Sequence, residues 1–276
     1  MHHILEQFNT GLPFPEVFPP NFKTEFPTCD HFSFRNLDHF RHVVSKLTQK
    51  QDDYCGISYA DALRKLLSGE SDFGEKEKST IREEVRANLH RRGLITEEVY
   101  EAYRYTVDGT TVTVDVGKFA AGEPDCILSP AREYVSFFYE LYVSVSYPYY
   151  IKNETIRMNC AKMLAAIEEL ERQHIFIKIN MVCPIRRPSS DGSNMFMDIP
   201  LFSHKDPKSV DTMSSVINDR LLRKFIFAVM ENYYQDKLVD GYGLALTMDG
   251  SFNIGGDFDE VEFFEGIRDA VGFQDV

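Results

Sequence analysis

V-S-F-F-Y-E-L-Y-V-S-V (residues 135–145), N-E-T-I-R-M-N-C-A-K-M-L-A-A-I-E-E-L-E-R-Q (153–173) and I-F-I-K-I-N-M-V (175–182) follow one another almost without interruption, and their order decides the fold. The outer two are short and rich in β-branched and aromatic residues, which suits strands. The middle one carries Ile156, Met163, Leu164, Ile167 and Leu170 at spacings of three and four, with Ile151 just before it, which puts one apolar stripe on a helix. Strand, helix and strand in that order predict a right-handed parallel crossover whose sheet is largely covered.

Downstream, residues 184–194 read as a polar loop, 195–201 as a third strand and 209–232 as a helix. A last strand at 243–248, a glycine-rich loop and a terminal helix at 259–271 complete a Rossmann-like α/β domain over residues 131–276. The expected fold class is α/β: a largely parallel, helix-covered sheet in the second half, after a helical N-terminal region and a β-hairpin.

Upstream, residues 33–130 hold the helices. Asn36 or Ser33 can cap the first, with Leu37, Phe40, Val43, Val44 and Leu47 on one face; Ser58 and Gly69 bracket the second. The third, residues 75–92, is charge-dense and buries only Ile81, Val85 and Leu89. Asp108-Gly109 is a favoured hairpin turn between the alternating runs 103–107 and 111–116, and a short helical turn should end at Gly122. Residues 1–32 form a proline- and aromatic-rich arm, held extended by its prolines, whose aromatics are expected to dock either on the chain's own body or on a neighbour; Phe14, Phe18, Phe22 and Phe26 are the candidate anchors for a protein partner.

Composition narrows function. At 276 residues with 43% hydrophobic and 26% charged side chains the chain should fold, and a net charge of −13 disfavours nucleic acid and anionic lipid. Cys29, Cys55, Cys126, Cys160 and Cys183 are odd in number and widely spaced, as expected of free thiols in a reducing cytoplasm. Neither a secretory leader nor a membrane span is expected.

V-D-V-G-K-F-A-A-G-E-P-D-C (residues 114–126) and D-R-L-L-R-K-F-I-F-A-V-M-E (219–231) resemble motifs of a loosely defined group of uncharacterised proteins encoded by bacterial viruses. The resemblance implies host-cell cytoplasm and no known activity. Separately, Y-V-S-V-S-Y-P and the helix and strand after it resemble the opening of a von Willebrand factor A-type domain over residues 135–183. That family's cation motif, Asp-x-Ser-x-Ser, falls on Ser144, Ser146 and Pro148; its carboxylate is missing, so the topology is expected without the metal.

Other chemistries leave thin signals. Asp249, Asp257, Asp259 and Glu260 miss calcium-loop spacing, and Cys29 with His39 and His42 lacks a second cysteine for zinc. No nucleophile elbow or phosphate-cradling glycine loop is present, so no catalytic residue and no cofactor is assigned. The best-placed candidates are Arg186, Arg187, Ser189 and Ser190 after a strand, with Arg220 and Arg223 on a helix, where such folds bind anions. The leading expectation is a non-enzymatic cytoplasmic protein that binds a host or viral protein. The alternative is an anion- or nucleotide-handling enzyme built on the Arg186-Arg187 loop, with Asp191 or Asp198 as acid-base group.

Overall fold

The computed structural model describes residues 29–49, 56–69, 73–95, 103–106, 113–114, 116–122, 127–130, 136–148, 150–186, 194–217, 219–234, 244–246 and 250–273. Its centre is a mixed sheet in the order β1 (Cys29–Ser33), β7 (Asn194–Phe202), β6 (Ile175–Arg186), β5 (Phe137–Ser144) and β9 (Phe252–Asn253), with β8 (Leu244–Ala245) on the end of β6. The predicted crossover is present: β5 and β6 run parallel from Phe137 opposite Ile175 to Ser144 opposite Val182, joined by helix α5 (Asn153–Arg172). β1 is parallel to β7 and β9 to β5, whereas β6 pairs antiparallel with β7 and with β8.

Three expectations change. The third strand returns antiparallel beside β6, so the sheet is mixed, with β6 antiparallel to both β7 and β8 and the other pairs parallel. β6 runs through Pro184 to Arg186, where a polar loop was expected. Proline reads as a strand breaker, but Pro184 lies beyond Val182, the last partner of β5, and its carbonyl accepts from Ser146 Oγ at 2.6 Å and from Leu246 N at 3.3 Å. The hairpin is absent among the described residues: β2 (Tyr103–Thr106) and β3 (Thr113–Val114) lie on either side of β4 (Ile127–Pro130), each antiparallel to it. Alternation predicted the strands but not the partner. The turn at Asp108-Gly109 lies outside the described residues.

The helices start and stop where local chemistry dictates. Asn36 accepts from His39 N at the start of α1 (Leu37–Val44), and Ser58 accepts from Asp61 N at the start of α2 (Tyr59–Ser68). Gly69 ends α2 in the left-handed region at φ 67°. α3 (Glu75–Arg91) and the short α4 (Val116–Ala120) follow, then α5, α6 (Val210–Ile217), α7 (Asp219–Tyr234) and α8 (Glu260–Ala270), the last capped by Asp259.

Side chains alternate along strands, so register sorts the sheet into two faces. One carries Leu141, Val143, Ile175, Ile177, Ile179, Met181, Met195, Met197 and Ile199, all buried. Against it pack Ile156, Met163 and Ile167 of α5, Phe225 of α7, Phe264 of α8, and Phe40, Leu66 and Leu89 of α1 to α3 in one hydrophobic cluster. The early helices therefore share the core of the α/β half. Residues 29–33, placed mostly in the arm by sequence, are instead the edge strand of the same sheet.

Candidate functional site

The opposite face of the sheet carries a different alphabet. In register across it stand His31 and Ser33 of β1, Phe196 and Asp198 of β7, Lys178, Asn180 and Val182 of β6, and Glu140, Tyr142 and Ser144 of β5. Its apolar cluster is small: Val182 and Phe196, with Cys29, Tyr142 and Leu246 against them. The main hydrophobic cluster, with its helices, lies on the other side.

Two polar networks organise this face. Asp198 holds the first: Oδ1 meets His31 Nε2, while Oδ2 accepts from Ser33 Oγ at 3.0 Å. The His31 side chain is 3% exposed and that of Asp198 16%. In the second, Glu140 accepts from Lys178 Nζ at 2.9 Å and from Tyr142 OH at 3.1 Å. Burial pushes the Glu140 carboxyl upward, but the two hydrogen bonds and the Lys178 charge outweigh it and hold the group below its ordinary range. Burial, with the hydrogen bond to Glu140 and the charges of Glu140 and Asp198, pushes the Tyr142 hydroxyl up to about 12. Burial beside Asp30 likewise pushes the Cys29 thiol up to about 12.

These values say what the face can do. Tyr142 remains a hydrogen-bond donor at neutral pH rather than a base. Nucleophilic catalysis by Ser33 would need its hydroxyl aimed at the imidazole, yet the hydroxyl donates to the carboxylate that His31 also meets. Lys178 is engaged by Glu140. Each of these groups is already held by a hydrogen bond within the face. Its lower end opens to solvent, where Phe138, 62% exposed, stacks on Phe176 at 5.9 Å and meets the edge of His204 at 5.2 Å.

The predicted anion-binding residues are placed as follows. Arg186 is exposed at the end of β6. Arg223 donates to the Tyr147 carbonyl at 3.3 Å and its guanidinium lies 5.4 Å from the Tyr147 ring. Arg187, Ser189, Ser190 and the side chain of Arg220 lie outside the described residues, as do Phe14, Phe18, Phe22 and Phe26 and the alternative acid Asp191. His39 accepts from the Arg35 backbone N at 3.1 Å, and no metal-binding group of three or more ligands occurs among the described residues. No helix among them is long and apolar enough to cross a membrane. A shallow groove of about 500 Å³ between α3 and α5, lined in part by Glu77, Ile81, Glu84 and Met158, lies among the helices.

A family model matches residues 25–270, from just before β1 to the end of α8. The chain belongs to the family described as a domain of unknown function, DUF7192. The DUF7192 match takes in the sheet, its polar face and the helices α1 to α8, so both networks are parts of one family unit. No curated protein and no solved structure matches the chain.

Sequence reasoning found Asp198 as an acid-base candidate but missed its setting. The signal was there as every second residue: Phe138, Glu140, Tyr142 and Ser144 on one strand, and Phe176, Lys178 and Asn180 on the next. A polar alternate in an otherwise apolar strand marks a face without a helix on it.

Proposed function

We propose that this chain is a non-enzymatic cytoplasmic protein of bacterial-virus origin that binds a host or viral protein, and that the ledge formed by Phe138, Phe176 and His204 is where the partner docks. The supporting observation is a large aromatic side chain, 62% exposed, standing beside a paired glutamate and lysine on the face opposite the helical core. Exposed aromatics ringed by satisfied polar groups are the usual anchors of protein interfaces. The phenylalanines of the arm, Phe14, Phe18, Phe22 and Phe26, act as further anchors in this reading.

The scaffold is read as von Willebrand A-like with its cation motif lost. Two observations support that: β5, α5 and β6 form the parallel unit the resemblance implies, and the Ser146 hydroxyl is taken up by the Pro184 carbonyl at 2.6 Å. Cytoplasmic residence is supported by Cys29, Cys160 and Cys183 being free thiols.

The reading is tested by capture from host lysate with the full chain, the Phe138→Ser variant, the Phe14/18/22/26→Ser variant and a Leu67→Ser control. Leu67 is also exposed, at 54%, but on helix α2. A protein retained by the wild type and the control but lost with Phe138→Ser is expected; equal recovery by all four overturns the reading.

A second reading, an anion- or nucleotide-handling enzyme, is favoured by one observation: Asp198 with His31 shares its sheet face with Arg186. Asp198 lies opposite Val182, and four residues of strand separate Val182 from Arg186, about 13 Å. Thermal shifts with nucleotides and divalent ions test it, since a ligand of the folded state must raise its stability.

A further inference from the structure

The ledge sets an open aromatic ring beside an ionised carboxylate. Phe138 and Glu140 are alternate residues of β5, so their side chains leave the same face, about 7 Å apart along the strand. The Phe138 ring is held by Phe176 and His204, at 5.9 and 5.2 Å, while the residue stays 62% exposed. It is positioned from within and open from without.

Glu140 is half-buried, yet the bonds from Lys178 and Tyr142 hold its carboxyl below the ordinary range, so it is charged at neutral pH. A carboxylate offers about four lone-pair positions. Lys178 Nζ takes one at Oε1, at 2.9 Å, and Tyr142 OH takes one at Oε2, at 3.1 Å, which leaves one on each oxygen. The Glu140 side chain is 38% exposed, so a donor arriving from solvent reaches it.

We infer that the ledge takes an arginine side chain of the partner protein, its guanidinium over the Phe138 ring and its N–H groups on Glu140. The inference names the partner chemistry of the docking reading and rests on that reading. A guanidinium is planar, so it stacks on a ring and donates within its own plane at the same time, which a lysine ammonium does not. One remaining position on each carboxylate oxygen suits the two parallel bonds of an arginine fork.

Neighbouring charges favour a cation over an anion. Lys178 has donors to spare, but a carboxylate brought to it would meet the Glu140 charge and the negative face of the Phe138 ring. Lys208, its side chain 5% exposed, is taken up inside the fold: it pairs with Glu171 and donates to the Ser203 and His204 carbonyls at 3.1 and 3.3 Å. Lys205 is followed directly by Asp206. The net charge of −13 adds a long-range attraction for basic partners.

Small probes test this without the partner. Protein labelled at phenylalanine is titrated with N-acetyl-arginine methylamide and with the citrulline, norleucine and glutamate equivalents, while the Phe138 ring signal is followed by NMR. That signal is assigned by its absence from the Phe138→Ser variant. Citrulline keeps the shape without the charge, norleucine keeps only the apolar stem, and glutamate reverses the charge. The arginine probe should bind about fivefold more tightly than the citrulline probe. Glu140→Gln should remove that preference and Leu67→Ser should keep it. The Phe264 ring, 0% exposed, should not respond to any probe and reports an intact core in each variant.

Equal binding of arginine and citrulline, tighter binding of norleucine or glutamate, no shift with any probe, or a preference that survives Glu140→Gln overturns the inference. An arginine response with capture of the partner undisturbed by Phe138→Ser would strike only the docking reading. Loss of the partner with Phe138→Ser, from a ledge indifferent to arginine, would strike only this inference.

Discussion

A Cβ on Gly255 would stand 2.6 Å from the Tyr147 Cβ, closer than side-chain carbons ever approach, so glycine is required there by the neighbouring strand exit. Gly255→Ala should destabilise the fold by about 1–3 kcal/mol in chemical denaturation, whereas Gly256→Ala, whose nearest contact is the Asn253 carbonyl at 3.4 Å, should cost less. His174 poses the converse case: it follows α5 at φ 62°, where a side chain is strained. His174→Gly should therefore raise stability by about 1 kcal/mol, read from the same denaturation midpoint. Glu140 supplies a pH signature. Its folded pKa is lowered, so its contribution is complete above the ordinary carboxylate range and is lost as pH falls through the folded value. Because Glu140 and Lys178 are 38% and 32% exposed, solvent screening limits the effect to no more than about 1 kcal/mol. Glu140→Gln should flatten the acid limb of stability between neutral pH and the folded pKa. An acid limb identical to the wild type's would show that the network does not favour the ionised form.

At the scale of elements, α5 does more than cross over between β5 and β6. Its Asn159 amide donates to the carbonyls of Ile254 and Gly256, both at 2.9 Å, and so ties the turn after β9 to the middle of the helix. Asn159→Ala leaves two backbone acceptors without their donor and should cost about 1–3 kcal/mol, with faster amide exchange confined to the 254–256 turn. Lys78 Nζ plays a similar part between helices, reaching Glu75 at 2.6 Å on its own helix and Asp211 at 2.7 Å on α6. Local elements were the legible part of the sequence. Asn36, Ser58 and Gly69 act within one turn of chain, and the stripe of α5 needs only its own spacing. Pairing was less legible, because a strand's partner is chosen elsewhere. Nothing in Tyr103 to Thr106 says that Ile127 to Pro130 will come between it and Val114, and nothing in Asn194 to Phe202 says that it turns back against β6.

For the whole molecule, helices α1 to α3 and the later α/β half contribute to one hydrophobic cluster. Unfolding should accordingly be one cooperative event, with tyrosine fluorescence and far-ultraviolet dichroism giving coincident transitions; separated transitions would mean that residues 33–130 and 131–276 fold independently. The candidate site was half legible at this scale. Asp198 and Arg186 were visible by residue type, but His31, Ser33, Glu140, Tyr142 and Lys178 gain meaning only when four strands are laid side by side. What unites them is that α1 to α3 and α5 to α8 pack on the opposite face, while among the described residues this one carries aromatic and paired polar groups. Hydroxyl-radical footprinting of the full chain, free and in complex with the protein it captures, tests that account most directly. The account predicts that Phe138 and Phe176 lose reactivity in the complex while Leu67 and Tyr150, exposed elsewhere at 54% and 70%, keep theirs. Protection of Leu67 or Tyr150 with Phe138 left reactive would contradict it.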